Sequence, residues 1–275
     1  ILAHWECQFE SGRGHHKMID KKIYFVIDKT IKKKKFKDLI FKKYKNYLPK
    51  NSDVIVVIGG DGFMLQTMKK YLHFNKPFFG MNKGSFGFLM NKFNLKKISK
   101  RIAKSKQIII TPIQMNSISK NNIRKSAYAI NEISLLRQSR QASSLEIKKN
   151  NKVLIKKLVG DGVLISTPAG STAYNLSVYG PILSLNSKKL AVTPISPFRP
   201  RRWKGKVVSD KSVIKVRNLN LQKRPVMLVA DNVEIRNVRT VSISASKLIK
   251  FKLLYDQNNS LTKKIKLEQM KKETN

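Results

Sequence analysis

Apolar residues recur along this chain in two rhythms, and the change between them divides it. Near the start, Lys22 to Asp28 (Lys-Ile-Tyr-Phe-Val-Ile-Asp) is rich in β-branched and aromatic side chains and predicts a strand. Ile31, Phe36, Leu39, Ile40 and Tyr44 then fall on one face at helical spacing, until Pro49 and Asn51 break the pattern. The run from Asp53 to Ile58 is apolar on both faces, as a central parallel strand must be. Gly59-Gly60-Asp61-Gly62 ends it ahead of a helix predicted from about Phe63 to Leu72. A third short strand, Pro77 to Gly80, leads into the glycine-rich stretch Asn82 to Phe88, and a basic amphipathic helix over about Leu95 to Lys104 closes the region. Strands alternating with helices in this way predict a Rossmann-like α/β unit with a parallel sheet.

From Gln107 onward the helical period disappears. Short β-rich segments follow at Ile108–Ile113, Ser126–Leu136, Leu145–Ile147, Val153–Leu158 and Gly162–Ser166, with several more up to Ser244, which predicts an all-β, sandwich-like unit. Leu248 to Tyr255 reads as one more strand, and Ser260 to Met270 as a helix capped by Ser260. There is no internal repeat. Residues 1–17 lack a Met and any periodicity, so they read as an upstream extension with Met18 as the natural start. The division expected is 18–106 for the α/β part, 107–245 for the β-rich part and 246–275 for a C-terminal segment.

Composition narrows the class. With 275 residues, 41% of them hydrophobic, the chain can bury a substantial core. Its longest aliphatic runs, such as Val54 to Ile58, fall far short of the ~20 residues that cross a bilayer, which points to a cytoplasmic protein. Cys7 is the single cysteine, so no disulfide framework or Cys/His zinc cluster is expected, and a metal would arrive with the substrate. The net charge of +41 ordinarily suggests nucleic acid or an anionic membrane. Here the excess is mostly Lys, spread through the whole chain alongside Ile and Asn, as AT-rich coding produces. No recognition motif accompanies it, so neither partner is expected, although such a surface attracts anionic nucleotides.

Three clusters carry candidate chemistry. A strand ending in Gly59-Gly60-Asp61-Gly62 and feeding a helix gathers backbone N–H groups into an anion site. Asp61 is out of place among phosphate-binding amides unless it takes a proton or holds a metal, although an Asp-Gly turn also accounts for it. The stretch Gly160-Asp161-Gly162 to Thr167-Pro168-Ala169-Gly170-Ser171-Thr172-Ala173-Tyr174-Asn175-Leu176-Ser177 offers hydroxyls, amides and a ring together, a set suited to ribose and adenine. Its alternative is a Thr-Pro turn followed by an N-cap at Ser171 or Thr172. Asn131-Glu132 interrupts an apolar run and fits either a site or an edge strand.

Taken in order and spacing, these clusters resemble the NAD kinase family: Gly-Gly-Asp-Gly at 59–62, Asn-x-Gly-x-x-Gly-Phe at 82–88, Asn-Glu at 131–132, and Asp-Gly through Thr-Pro-x-Gly-Ser-Thr-Ala-Tyr at 161–174. The first motif is shared with lipid kinases and phosphofructokinases; the last is close to diagnostic, and it argues against a lipid kinase. The resemblance spans about Ile23 to Met270. It implies an α/β domain and a β-sandwich-like domain with a tail packed back on the first, NAD bound between domains and subunits of a dimer or tetramer, and ATP or polyphosphate as donor with Mg²⁺ or another divalent cation. By position it implies Asp61 as general base on the ribose 2′-hydroxyl, with Gly60 and Gly62 admitting phosphates to the backbone. Asn131 and Glu132 would bind the ribose and neighbouring groups of NAD, and Phe88 would pack against adenine. Asp161, Thr172, Ala173 and Tyr174 would line the base pockets, and Asn175, Leu176 and Ser177 would continue their wall. Departures are Phe63 where Thr is common, Ala169 where Thr or Ser often stands, Val159 in place of a basic residue found two positions before the aspartate in some relatives, and Asp231-Asn232 as a loose match to a late substrate-contacting Asp-His or Asp-Gly pair.

Overall fold

The computed structural model describes residues 21–31, 34–84 and 87–256; the extension at 1–17 and the helix expected at 260–270 lie outside them. In chain order the first elements are β1 (Ile23–Ile27), α1 (Lys34–Lys43), β2 (Val54–Gly59), α2 (Asp61–Lys70), β3 (Phe78–Asn82), β4 (Asn91–Lys92), α3 (Ile98–Lys104) and β5 (Lys106–Ile110). Then come β6 (Ile113–Ser119), β7 (Arg124–Ala129), β8 (Glu132–Arg137), β9 (Ser143–Lys149), β10 (Lys152–Gly160), β11 (Gly162–Ser166) and the single-turn α4 (Tyr174–Ser177). The chain continues through β12 (Lys189–Ile195), β13 (Lys206–Ser209), β14 (Ile214–Asn218), β15 (Val226–Ala230), β16 (Val233–Ile235), β17 (Val238–Ala245) and β18 (Phe251–Tyr255).

The first sheet runs β1-β2-β3-β18-β5, with β4 also on β3. Its β1/β2, β2/β3 and β3/β18 pairs are parallel, and only β18/β5 is antiparallel. Every residue of β2 is buried, because both faces are covered. Ile55 and Val57 face Met64 and Met68 of α2, while Val54, Val56 and Ile58 face Ile40 of α1 and Ile98 and Ile102 of α3. The α/β expectation therefore holds, with one correction on α1. Leu39 is 60% exposed; the stripe facing the sheet runs through Phe36, Ile40 and Tyr44 at intervals of one turn.

The remaining strands form two antiparallel sheets, β10-β9-β14-β17-β6-β7 and β13-β12-β11-β8-β15-β16. Alternation puts Ile214 and Val216 inward and Lys215 and Arg217 outward on β14. Both sheets contribute to one contiguous core, including Ile147, Val216 and Ile243 from one and Leu135, Val163 and Leu228 from the other, so the unit is a sandwich.

Two apolar runs that look continuous are split. Ile108–Ile113 breaks at Thr111-Pro112, where the chain leaves the first sheet for the second, so the division expected at 106/107 falls inside β5. Ser126–Leu136 breaks at Ile130-Asn131, where it passes from the second sheet to the third. Apolar character persists across both breaks because the chain stays buried while changing layers. Ile130 and Ala169 pack in the same cluster as Met64 and Met68, which makes α2 the layer shared by the first sheet and the sandwich.

Candidate functional site

Two groups of residues meet around α2. In the first, β2 ends at Gly59, and Gly60 caps α2 in an extended conformation with no side-chain cap, so the helix starts at Asp61, two residues earlier than its periodicity suggests. A side chain on Gly60 or Gly62 would meet open space, which leaves the backbone there approachable. The loop after β3 closes over this point. Lys83 N–H donates to the Gly59 carbonyl at 2.9 Å, and a Cβ on Gly84 would stand 3.9 Å from the Gly60 Cα. The two Asp61 oxygens accept the backbone N–H groups of Phe88 (2.7 Å) and Leu89 (3.1 Å). On the other side of that turn, the Tyr255 hydroxyl of β18 donates to the Phe88 carbonyl at 3.0 Å. Burial, with the nearby Asp61 charge second, pushes the Tyr255 phenol well above its usual range and keeps it a donor.

The second group is assembled from distant segments at the β7–β8 break. Asn131 accepts the Thr167 N–H through its carbonyl at 2.9 Å, and the Thr167 hydroxyl donates to the Ile130 carbonyl at 2.6 Å while accepting the Gly170 N–H at 3.1 Å. Gly170 is required here, since any Cβ would run into the Asn131 carbonyl. This docking sets the turn at Gly170–Thr172 and the start of α4 beside Asn131 and Glu132. The Glu132 carboxyl is pushed up to about 8, first by burial and then by the Asp231 charge. Tyr174 is raised by partial burial and then by the charges of Asp161 and Glu132, so these three side chains share one electrostatic neighbourhood. The Asn131 Oδ1 and Glu132 Oε2 atoms are buried and have no hydrogen-bond partner among the described residues.

The other expected positions divide. Thr172 is 8% exposed and Ala173 half-buried, while Tyr174 and Ser177 are exposed and Leu176 is intermediate. Asn175 turns inward and is fully buried. Its amide donates to the Pro181 carbonyl at 2.9 Å and its oxygen accepts the Thr193 hydroxyl at 2.7 Å, so its side chain shapes the loop from within. The Asp161 carboxylate pairs with Arg137, and both remain more than a third exposed.

Sequence reasoning passes over Arg137 and Lys69, and reaches Asp231 only as a loose match to a family pair. Arg137 on β8 is the cation beside Asp161, where Val159 on the same strand as the motif offers none. Asp231 and Lys69 form an ion pair at 2.8 Å beneath Asn131 and Glu132. In sequence, Asp231-Asn232 is a polar turn between two apolar runs, marked only by its loose match to the family's late pair, and Lys69 is one lysine among many.

A sequence profile of the ATP-NAD kinase C-terminal domain matches residues 130–253, from the β7–β8 break into β18. The NAD kinase of Zymomonas mobilis is 45% identical over 244 residues, covering 88% of this chain and 95% of that protein. The NAD kinase of Brucella suis is 43% identical over 235 residues, with 86% and 91% covered. The chain belongs to the NAD kinase family. Among solved structures, an Archaeoglobus fulgidus NAD kinase in complex with ATP superposes with a TM-score of 0.69 at 22% identity, covering 89% of this chain and 98% of that one. Yeast NADH kinase complexed with NADH gives 0.68 at 23% identity, covering 82% and 69%. These two establish the shared fold. The part matched by the NAD kinase profile contains the Asn131, Asp161–Ser177 and Asp231 group; the Gly59–Gly62 group lies before it.

Proposed function

We propose that this protein transfers the terminal phosphoryl group of ATP to the 2′-hydroxyl of the adenosine ribose of NAD, making NADP. The observation that carries this reading is the docking of the Thr167–Tyr174 loop on the Asn131–Glu132 break, next to the helix that begins at Asp61. In it, the buried Asn131 Oδ1 and Glu132 Oε2 atoms find their partners on the ribose, whose hydroxyls donate as readily as they accept. Tyr174, Ala173 and Thr172 line the base pockets with Asp161, Asn175 to Ser177 support their wall, and Phe88 lies against adenine.

Asp61 accepts the proton of the attacking hydroxyl. A carboxylate oxygen can accept more than one hydrogen bond, so the amides of Phe88 and Leu89 orient Asp61 without excluding a substrate donor. Gly60 and Gly62 let the donor phosphates reach backbone N–H groups at the α2 terminus. A divalent cation would arrive with the donor, held by its phosphate oxygens and water. When bound, Mg²⁺ neutralises charge on the phosphoryl groups. The enzyme is read as a cytoplasmic homo-oligomer; no helix among the described residues is long and apolar enough to cross a membrane.

The test is an assay of the purified protein with Mg²⁺ and ATP, offered NAD, NADH or a diacylglycerol, with polyphosphate replacing ATP in a parallel series. NADP formation from NAD and ATP is expected. Lipid phosphorylation without NADP would overturn the proposal.

A further inference from the structure

Where β7 becomes β8, the N–H groups of three consecutive residues leave one sheet before joining the next, and buried amides in that position need an acceptor. A single side chain supplies it. Asp231 Oδ2 accepts the Ile130 N–H at 2.8 Å, and Oδ1 accepts those of Asn131 at 3.0 Å and Glu132 at 3.4 Å. Asp231 sits in the β15–β16 turn with φ of 50°, a left-handed conformation that Asp tolerates better than most residues, and its own N–H donates to the Glu132 carbonyl at 3.2 Å. The side chain is only 7% exposed. A carboxylate so far out of water needs a counter-charge. That charge is Lys69, whose Nζ stands 2.8 Å from Oδ2, also donates to the Asn232 Oδ1 at 3.4 Å, and lies 5.5 Å from the Tyr128 ring centroid.

Lys69 is in the last turn of α2, the helix whose first residue is Asp61. Asp231 thus fixes the backbone of the two residues whose buried atoms have no partner among the described residues, and through Lys69 ties them to the helix that carries the candidate base. We propose that Asp231 and Lys69 are positioning residues for NAD: Asp231 aims Asn131 and Glu132 at the ribose, and Lys69 sets their spacing from α2. This rests on the reading of Asn131 and Glu132 as ribose ligands. It assigns Asp231 no contact with the substrate.

Asp231→Asn keeps one acceptor oxygen but loses both the second and the ion pair, while Lys69→Met breaks the tie to α2 and removes the counter-charge without touching the backbone bonds. Direct NAD binding, kcat and KM for NAD and for ATP, and thermal midpoints would be measured for both, with Lys69→Arg as the conservative rescue. A displaced ribose site weakens NAD binding, so KM for NAD should rise about 10-fold or more in Asp231→Asn. KM for ATP should stay within about twofold and kcat should fall less than KM rises. Lys69→Met should move NAD affinity in the same direction by less, and Lys69→Arg should recover most of it. A lowered thermal midpoint with unchanged NAD affinity would show a purely structural clamp and overturn the proposal. If Asp231→Asn does not fold, Lys69→Met decides, because it leaves all three backbone bonds in place; unchanged NAD affinity there also overturns it. Asn131→Ala and Glu132→Gln separate the two levels. If they weaken NAD binding and the Asp231 and Lys69 variants do not, the clamp fails alone; if they too leave binding unchanged, the ribose reading fails and the clamp with it.

Discussion

The two halves of the candidate site are built in opposite ways. The Gly59–Asp61 half is continuous in sequence: one strand, one tight exit and one helix start, with Asp61 closing a loop fewer than thirty residues on. The Asn131–Tyr174 half has no continuous segment at its centre. It exists because Thr167 and Gly170 dock on the Asn131 backbone from one side and Asp231 gathers the same backbone from the other. A site whose centre is one segment, merely covered by others, tolerates change in the rest of the chain better than one whose centre is joined from three.

The sharpest way to test this contrast is Asp61→Asn. The amide still accepts one backbone N–H, but its NH₂ faces the other, so a modest fall in thermal midpoint is expected alongside loss of the proton acceptor. In steady-state kinetics kcat should drop ~10²-fold or more while NAD binding survives. Near-normal turnover would leave Asp61 as a loop anchor only, and the continuous half would lose its chemistry.

Gly170→Ala probes the joined half. The new methyl meets the Asn131 backbone, which cannot move without breaking the Asp231 bonds, so destabilisation of roughly 2 to 3 kcal/mol is expected, a thermal shift on the order of 6 °C. NAD affinity should fall with it. A melting curve unchanged from the parent would show that the loop is held loosely and would erase the contrast.

Glu132 gives a subtler handle. Its carboxyl is raised from 4.5 to about 8 in the folded protein, so between those values the folded state holds a proton that the unfolded chain has released. This contribution to stability is complete below about pH 4.5 and is lost as pH rises towards 8, on the order of 1 kcal/mol per pH unit across that window. Denaturant titrations at several pH values should show this decline in the parent and a flatter profile in Glu132→Gln. Equal slopes would mean that Glu132 titrates normally and that its surroundings are wetter than the structure has them. The smallest effect belongs to the periphery: Leu39→Lys on the exposed side of α1 should change stability by no more than about 0.5 kcal/mol in the same titrations.

Legibility in the sequence follows the same division. β2, the exit at Gly59 and the helix after it are readable because period, burial on both faces and glycine placement all act within a few residues. The Thr-Pro-x-Gly-Ser-Thr-Ala-Tyr stretch is readable as unusual, and Asn131-Glu132 as an interruption. What sequence does not reveal is that the interruption is a change of sheet, because Ser126 to Leu136 stays apolar on both sides of it. Asp231 is legible only as a loose match to the family's late pair; that it accepts backbone N–H groups a hundred residues away cannot be read, because backbone amides leave no mark on residue identity. Leu39 misleads in the other direction, being apolar at a helical interval yet on the wrong side of a narrow stripe.

The insertion of β18 between β3 and β5 has a consequence for how the chain comes off the ribosome. Leu253 pairs with Phe78 and Ile108, so the first sheet keeps a gap until β18, made after both antiparallel sheets, emerges. Until then Phe78 and its neighbours present an open, apolar edge, the kind of surface that recruits other strands. Closing it joins positions widely separated in sequence, which makes the step slow. During synthesis β1 to β5 must therefore wait, shielded, for a strand made after the whole sandwich.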